Sequence, residues 1–229
     1  MLAERLELPD GDFLDLDWVK AGHRRLAVIS HGLEGSSKNR DIRGLSAALN
    51  KAGWDTLAWN FRGCSGELNR CLRFYHSGET GDLSAVLSHA AGGYSSLALV
   101  GFSLGGNMNL KYLGEGNVHP FVHAAVAISA PVDLASSARA LDRRPGNQIY
   151  LRRFMKSLAA KVEAKAKQFP TEIDATGARD VRSFSIFDDR YTARIHGFRD
   201  AEDYWSQSSA IGYLNRISIP TLLLNEKND

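Results

Sequence analysis

Gly101-Phe102-Ser103-Leu104-Gly105 sets one hydroxyl between two glycines, the pattern of a serine built to attack a carbonyl. An apolar run, Leu97 to Val100, precedes it and reads as a buried strand. Leu104, Met108, Leu110 and Leu113 follow at spacing that suits a helix. Strand, tight turn and helix in that order make a nucleophile elbow. The glycines are needed because a side chain beside Ser103 would collide with the adjoining strand or helix, while Ser103 itself takes a strained backbone conformation. The helix that begins here aims free N–H groups and its positive dipole end at the place where an oxyanion forms. The rival reading is a Gly-rich turn whose serine only caps the helix. A second motif upstream decides for the nucleophile.

That motif is His31-Gly32-Leu33-Glu34-Gly35-Ser36-Ser37, which leaves the apolar strand Leu26–Ser30. A Gly-rich turn after a central strand, upstream of an elbow, is where a second oxyanion donor sits. The N–H of Leu33 is the candidate, paired with that of Leu104, and position alone assigns it. His31 reads as a brace for this loop rather than a base, since a base must be oriented by its own acid. Phe61 to Glu67 forms a polar loop at the C-terminal end of the strand Trp54–Asn60, the edge at which open α/β sheets bind ligands. Arg62 and Glu67 either shape a pocket there or pair with each other. His76, in Tyr75-His76-Ser77-Gly78, either lines the pocket or makes a structural hydrogen bond. His31, Arg62 and His76 are therefore the candidate substrate contacts.

The elements that must position these residues are legible. Leu6–Leu8 and Phe13–Trp18 read as two edge strands around Pro9-Asp10-Gly11-Asp12, with Asp15 and Asp17 on a wet face. Ile42–Ala52 reads as an amphipathic helix, and Thr80 as the N-cap of a helix reaching Ala90. Ala124–Ser129 is another buried strand; Asp133, just after it, is a second candidate for an acid facing the same edge. Asn147–Phe169 is a long helix bearing Arg152, Arg153, Lys156, Lys161, Lys165 and Lys167. A charge run is usually a solvated face; the sharper alternative is a lid helix near an anionic or lipid surface. Arg179–Phe198 reads as irregular, and Ile219–Asn225 as a last strand. Residues 135–205 are expected to form a helical cap inserted into a core made of 1–134 and 206–229.

Composition narrows the function classes. The 229 residues suffice for one sizeable core, and a net charge of +2 is too balanced to argue for nucleic acid by itself, so no nucleic-acid partner is expected. No secretory leader and no membrane-spanning run stand in the sequence, and Cys64 and Cys71 match neither a disulfide framework nor a metal site. A cytoplasmic protein is the expectation. Phosphate-loop and dinucleotide fingerprints are missing, and no histidine pair has a recognisable ligand spacing, so neither cofactor nor metal is expected.

Taken with Trp59-Asn60-Phe61-Arg62-Gly63-Cys64-Ser65-Gly66-Glu67, Ser129-Ala130-Pro131-Val132-Asp133-Leu134 and Phe187-Asp188-Asp189, these motifs resemble the YheT-like branch of the α/β-hydrolases, AB-hydrolase family 4. The resemblance implies a mostly parallel sheet flanked by helices and a Ser-Asp-His carboxylester hydrolase acting on a small-molecule or lipid ester, with peripheral membrane contact open. It carries the triad acid onto Asp229, demotes Asp133, and places the triad histidine after the acid. All seven histidines precede Asp229. The chain is therefore expected to be a C-terminally truncated, nearly inactive piece of a longer hydrolase. Two rivals remain: a non-catalytic binding module of the same fold, and a thioesterase or amidase.

Overall fold

The computed structural model describes residues 2–226. Strands β1 (Leu2–Glu7) and β2 (Phe13–Val19) form an antiparallel hairpin, with Leu6 opposite Leu14 and Arg5 opposite Asp15. Along β2, Leu14, Leu16 and Trp18 are buried while Asp15 and Asp17 are half-buried, as its alternating sequence requires. Strands β3 (Arg25–Ser30), β4 (Asp55–Trp59), β5 (Ser96–Phe102), β6 (Val122–Ile128) and β7 (Thr221–Leu224) complete one sheet of order β1-β2-β4-β3-β5-β6-β7. β2 meets β4 antiparallel, and every pairing from β4 to β7 is parallel.

Period two divides the central strands between two layers. Leu26, Val28, Leu97 and Leu99 face α2 (Thr80–Ala90) and α3 (Leu104–Glu115), where Leu83, Val86, Leu87 and Met108 meet them. Ile29, Ala58 and Val100 turn the other way and pack on Ile42 of α1 (Arg40–Lys51). Thr80 is the first residue of α2 rather than its cap. Glu79 holds the cap position without a side-chain cap bond, because its carboxylate is spent on Arg73.

Between β6 and β7 the chain builds α4 (Leu134–Arg143), α5 (Gln148–Gln168), α6 (Phe184–Phe187), α7 (Arg194–His196) and α8 (Ala201–Ser208). These pack into a hydrophobic cluster of their own, with Val162, Phe187 and Trp205 at its centre and Leu33 and Leu72 against its sheet side. Arg179–Phe198 is more regular than its sequence promised, since it holds α6, a π-helical stretch Asp188–Ala193, and α7. Asp188 is buried there, accepting from Thr192 Oγ1 (2.7 Å) and Trp205 Nε1 (2.8 Å); burial pushes its carboxyl up to about 6.

The basic run of α5 is not simply a solvated face. Lys165 is fully buried, its ammonium donating to the carbonyls of Asn69 (2.6 Å) and Cys71, and burial pulls it down to about 8. Lys161 turns inward as well. The remaining cations stay exposed. None of the described helices is long and apolar enough to cross a membrane.

Candidate active site

β3 and β5 are neighbours, with Ser30 opposite Gly101. The loop after β3 and the turn after β5 are thereby brought side by side. Ser103 sits in that turn at φ 49°, ψ −118°, a left-handed conformation that non-glycine residues rarely take. Its N–H donates to Ile128 O (2.8 Å) and its carbonyl accepts from Asn107 N (3.1 Å). A Cβ on Gly101 would lie 2.4 Å from Gly105 O, and one on Gly105 would lie 2.5 Å from the carbonyl oxygens of Ser30 and His31. Both glycines are sterically obligatory. At Gly32 an added Cβ would stand 3.2 Å from Ser103 Cβ, so the upstream motif packs directly on the serine.

Ser103, Leu33 and Leu104 border one cavity of about 590 Å³, within the size range of small-molecule sites. Leu134, Leu141, Phe154, Leu158, Phe184 and Phe187 make an apolar wall; His76, Ser77, Asp133 and Asn225 add polar groups. Among the described residues, neither the Leu33 nor the Leu104 N–H has a hydrogen-bond acceptor, and Ser103 Oγ has no partner. For Leu104 the reason is general, since the first N–H groups of a helix have no acceptor within it.

The other candidates divide. His31 does not border the cavity. It is buried against Phe61, its ring nitrogens engaged by Gly32 O (2.7 Å) and the donating Phe61 N–H (3.2 Å). Burial lowers it to about 4, so it braces the loop as a neutral ring. Arg62 neither borders the cavity nor pairs with Glu67. It is buried among Asp82 (2.7 and 2.8 Å), Asp10 (2.7 Å) and Asp12 (3.0 Å), while Glu67 goes to Arg5. As a substrate contact it is corrected: the guanidinium has its carboxylates already. His76 does both things expected of it, bordering the cavity and accepting from Gly78 N–H through Nδ1 (3.2 Å). Asp133 borders the cavity but caps α4, accepting from Ser136 N (3.0 Å) and Oγ (2.6 Å), contacts that lower its carboxyl. Asp229 lies outside the described residues. Asn225, four positions before it, bonds both to Ala130 N (3.2 Å) and Ala130 O (3.3 Å) at the cavity wall.

Two clusters have no local signature in sequence. His76, Glu79 and His196 bring three ligand-type atoms within 4.8 Å of one another, although residue spacing gave no such pairing. Glu79 is held at about 2 against the upward push of burial, by His76 and by the Arg73 guanidinium. His76 Nδ1 accepts from the Gly78 N–H, and its Nε2 faces Glu79 (3.4 Å). This is a buried acid–base cluster in which His196 Nε2 has no hydrogen-bond partner among the described residues. The second cluster centres on Glu34, another left-handed residue (φ 53°). Its carboxylate accepts from Tyr75 Oη (2.7 Å), Lys161 Nζ (2.7 Å) and Ser157 Oγ, while its N–H donates to Tyr75 Oη (2.8 Å). Burial raises the Glu34 carboxyl, but Lys161 and the two hydroxyls lower it further, to a net value below its ordinary one. The residue after Leu33 is thus tied to α5.

Comparison with known proteins agrees with this architecture. Residues 28–229 match the sequence model of the alpha/beta hydrolase fold family. YheT of Escherichia coli strain K12, whose name carries a provisional esterase assignment, is 44% identical over 99% of this chain and 68% of its own length. Phospholipase ABHD3 of Mus musculus is 29% identical over 99% of this chain, which spans 58% of that protein. Of solved structures, the α/β-hydrolase GrgF from Penicillium superposes with TM-score 0.63 at 15% identity, covering 99% of this chain and 80% of that one. The Pyrococcus furiosus esterase Pf2001 gives 0.56 at 18%, covering 97% and 68%; at such identities the likeness concerns the fold. The elbow, the topology and these matches together make the chain a member of the α/β-hydrolase family, in its YheT-like branch.

Proposed function

We propose that this protein is a serine hydrolase of carboxylic esters with short- to medium-chain or lipid-like acyl groups. Ser103 Oγ attacks the acyl carbonyl, and the Leu33 and Leu104 N–H groups receive the oxyanion. The alcohol leaves, and water then releases the acid from the acyl-enzyme. The observation that carries this reading is the meeting, at one cavity, of two backbone donors and a strained serine that have no partner among the described residues. The apolar wall suits an acyl chain. His76 borders the reacting end as a substrate contact.

A triad needs a base for Ser103 and an acid to orient it. His31 and His196 do not border the cavity and His76 has its ring nitrogens directed at Gly78 and Glu79, so the base is assigned to a histidine downstream of residue 229. Asp229 is assigned as the acid, a place consistent with Asn225 being fixed at the cavity wall. Residues 135–205 act as the cap over the acyl chamber. The unpaired thiols of Cys64 and Cys71 suit a reducing compartment such as the cytoplasm.

The test is intact-mass detection of fluorophosphonate labelling on three proteins: the 229-residue chain, the same reading frame carried past Asp229, and the latter with Ser103→Ala. Labelling confined to the longer form and abolished by Ser103→Ala is expected. Ser103-dependent labelling of the short chain would overturn the assignment of the base. No labelling of any folded form would leave a binding module. Parallel ester, thioester and amide substrates then check the acyl class.

A further inference from the structure

The helix that walls the acyl cavity has a second face that no hydrolytic step uses. At about 100° per residue, α5 presents Tyr150, Phe154 and Leu158 to the cavity and Leu151, Met155 and Val162 to the buried cluster. The next sector carries Arg152 and Lys156 into a separate groove of about 780 Å³, closed on its other side by Arg179 and Arg182. The last sector, between groove and cavity, carries Ile149 and Arg153. Ile149 is 78% exposed and Tyr150 59%. Tyr150 also borders the cavity, so it stands where the cavity meets the surface.

Charge on this tip is one-sided. Between Asp142 and Glu163 the chain contains no carboxylate, yet it holds Arg143, Arg144, Arg152, Arg153, Lys156 and Lys161. Lys161 is spent on Glu34. The other five are exposed, and none has an acidic partner among the described residues. A second exposed apolar residue, Ile186 (57%), joins the tip through α6, because Asp142 accepts from Ser183 Oγ (2.8 Å) and Phe184 N (2.7 Å) and so ties the start of α6 to the end of α4.

We propose that this tip, formed by the start of α5, the end of α4 and α6, is a docking surface for an anionic lipid bilayer. Two observations choose that occupant over a soluble anion. The cations are interleaved with Ile149, Tyr150 and Ile186, exposed apolar side chains for which a free phosphate has no use. Tyr150 also stands at the cavity rim, next to the exposed Ile149, so a bilayer seated on the tip would lie against the rim of the acyl cavity. In that seat Arg152, Lys156 and Arg182 meet lipid phosphates in the groove, and Ile149, Tyr150 and Ile186 enter the headgroup–acyl boundary, the division of labour of an interfacial helix. Docking is independent of ester cleavage and holds whichever bond the enzyme breaks.

The experiment is co-sedimentation of the purified protein with phosphatidylcholine vesicles, with and without phosphatidylglycerol as about a third of the lipid, at low and at high salt. Preference for the anionic vesicles is expected, weakening in salt. Each cation neutralised is expected to weaken partitioning about fivefold; the triple reversal R152E/R153E/K156E removes it. Ile149→Ser with Ile186→Ser lowers binding at every salt concentration. Reversal of Lys38, Arg40 and Arg43, on the far layer of the sheet, leaves binding intact, with circular dichroism checking that every variant is folded. Equal binding to both vesicle types, no binding, or equal loss in the far-layer control would overturn the proposal. Saturable binding of inorganic phosphate without vesicle binding would overturn it in favour of a soluble anion.

Discussion

Replacing Lys161 by Met removes the cation paired with the Glu34 carboxylate while keeping the aliphatic stem in place. Both side chains are 9% exposed, so solvent cannot substitute for the lost partner. Removing one member of a buried pair costs about 3–5 kcal/mol. Tyr75 and Ser157 still donate to the carboxylate, which sets the expected loss near the lower end, about 3 kcal/mol at pH 8. The pH dependence has a definite sign. In the wild type the folded Glu34 carboxyl is held below its ordinary 4.5, so its stabilising contribution is fully present above that value and fades as pH falls through the depressed one. Without Lys161, burial raises the folded carboxyl instead. The variant then takes up a proton on folding, and its deficit shrinks as pH falls from 8 toward 5. Adding Glu34→Gln removes the unpaired charge and should restore about 2 kcal/mol relative to the sum of the single changes. Urea unfolding of wild type, both single variants and the double variant at pH 8 and pH 5.5 measures all of this. Additive losses within about 0.5 kcal/mol, or a deficit that does not vary with pH, would refute the clamp. In an active form, a loosened Glu34 should also lower kcat before KM, because Leu33 N–H precedes it directly.

Asp188→Asn should stabilise the protein at pH 7 by up to about 3 kcal/mol, since a carboxyl raised to about 6 from 3.8 folds at a disadvantage above its folded value. The gain should vanish near pH 4, and thermal melts across pH 4–8 would read it. Gly105→Ala should cost more than about 3 kcal/mol, because its Cβ would overlap two backbone carbonyls that cannot step aside; loss of soluble folded protein or a collapsed urea midpoint is the expected result.

What could be read from sequence was what backbone sterics and period-two patterning encode locally. Gly101 and Gly105 announce the elbow because only glycine fits there, and the β2 alternation announces its wet face. The Leu33 loop was placed by its strand, not by any side chain. Long-range pairing was illegible. Glu34 and Lys161 are 127 residues apart, and Arg62 finds carboxylates on the β1–β2 turn and on α2. Lys165 was read as solvated because its partners are bare carbonyls of a loop, groups every residue owns and no sequence displays. The His76–Glu79–His196 cluster escaped for a related reason: His196 arrives by way of the π-helical stretch and α7, whose irregular path no periodicity predicts.

Among the described residues, the three non-glycine positions with positive φ, Glu34, Ser103 and Ser129, each lie beyond the C-terminal end of one of three adjacent parallel strands, β3, β5 and β6. Each such residue costs about 1–3 kcal/mol taken alone. Parallel neighbours cannot be joined by short hairpins, so those three strands align only after long stretches of chain have closed. The strained triplet therefore cannot form as a local unit during folding. It becomes tolerable only when the sheet beneath it is finished, which makes the backbone geometry of Ser103 a mark of complete folding: a partly assembled chain holds the right residues but not the turn that presents them.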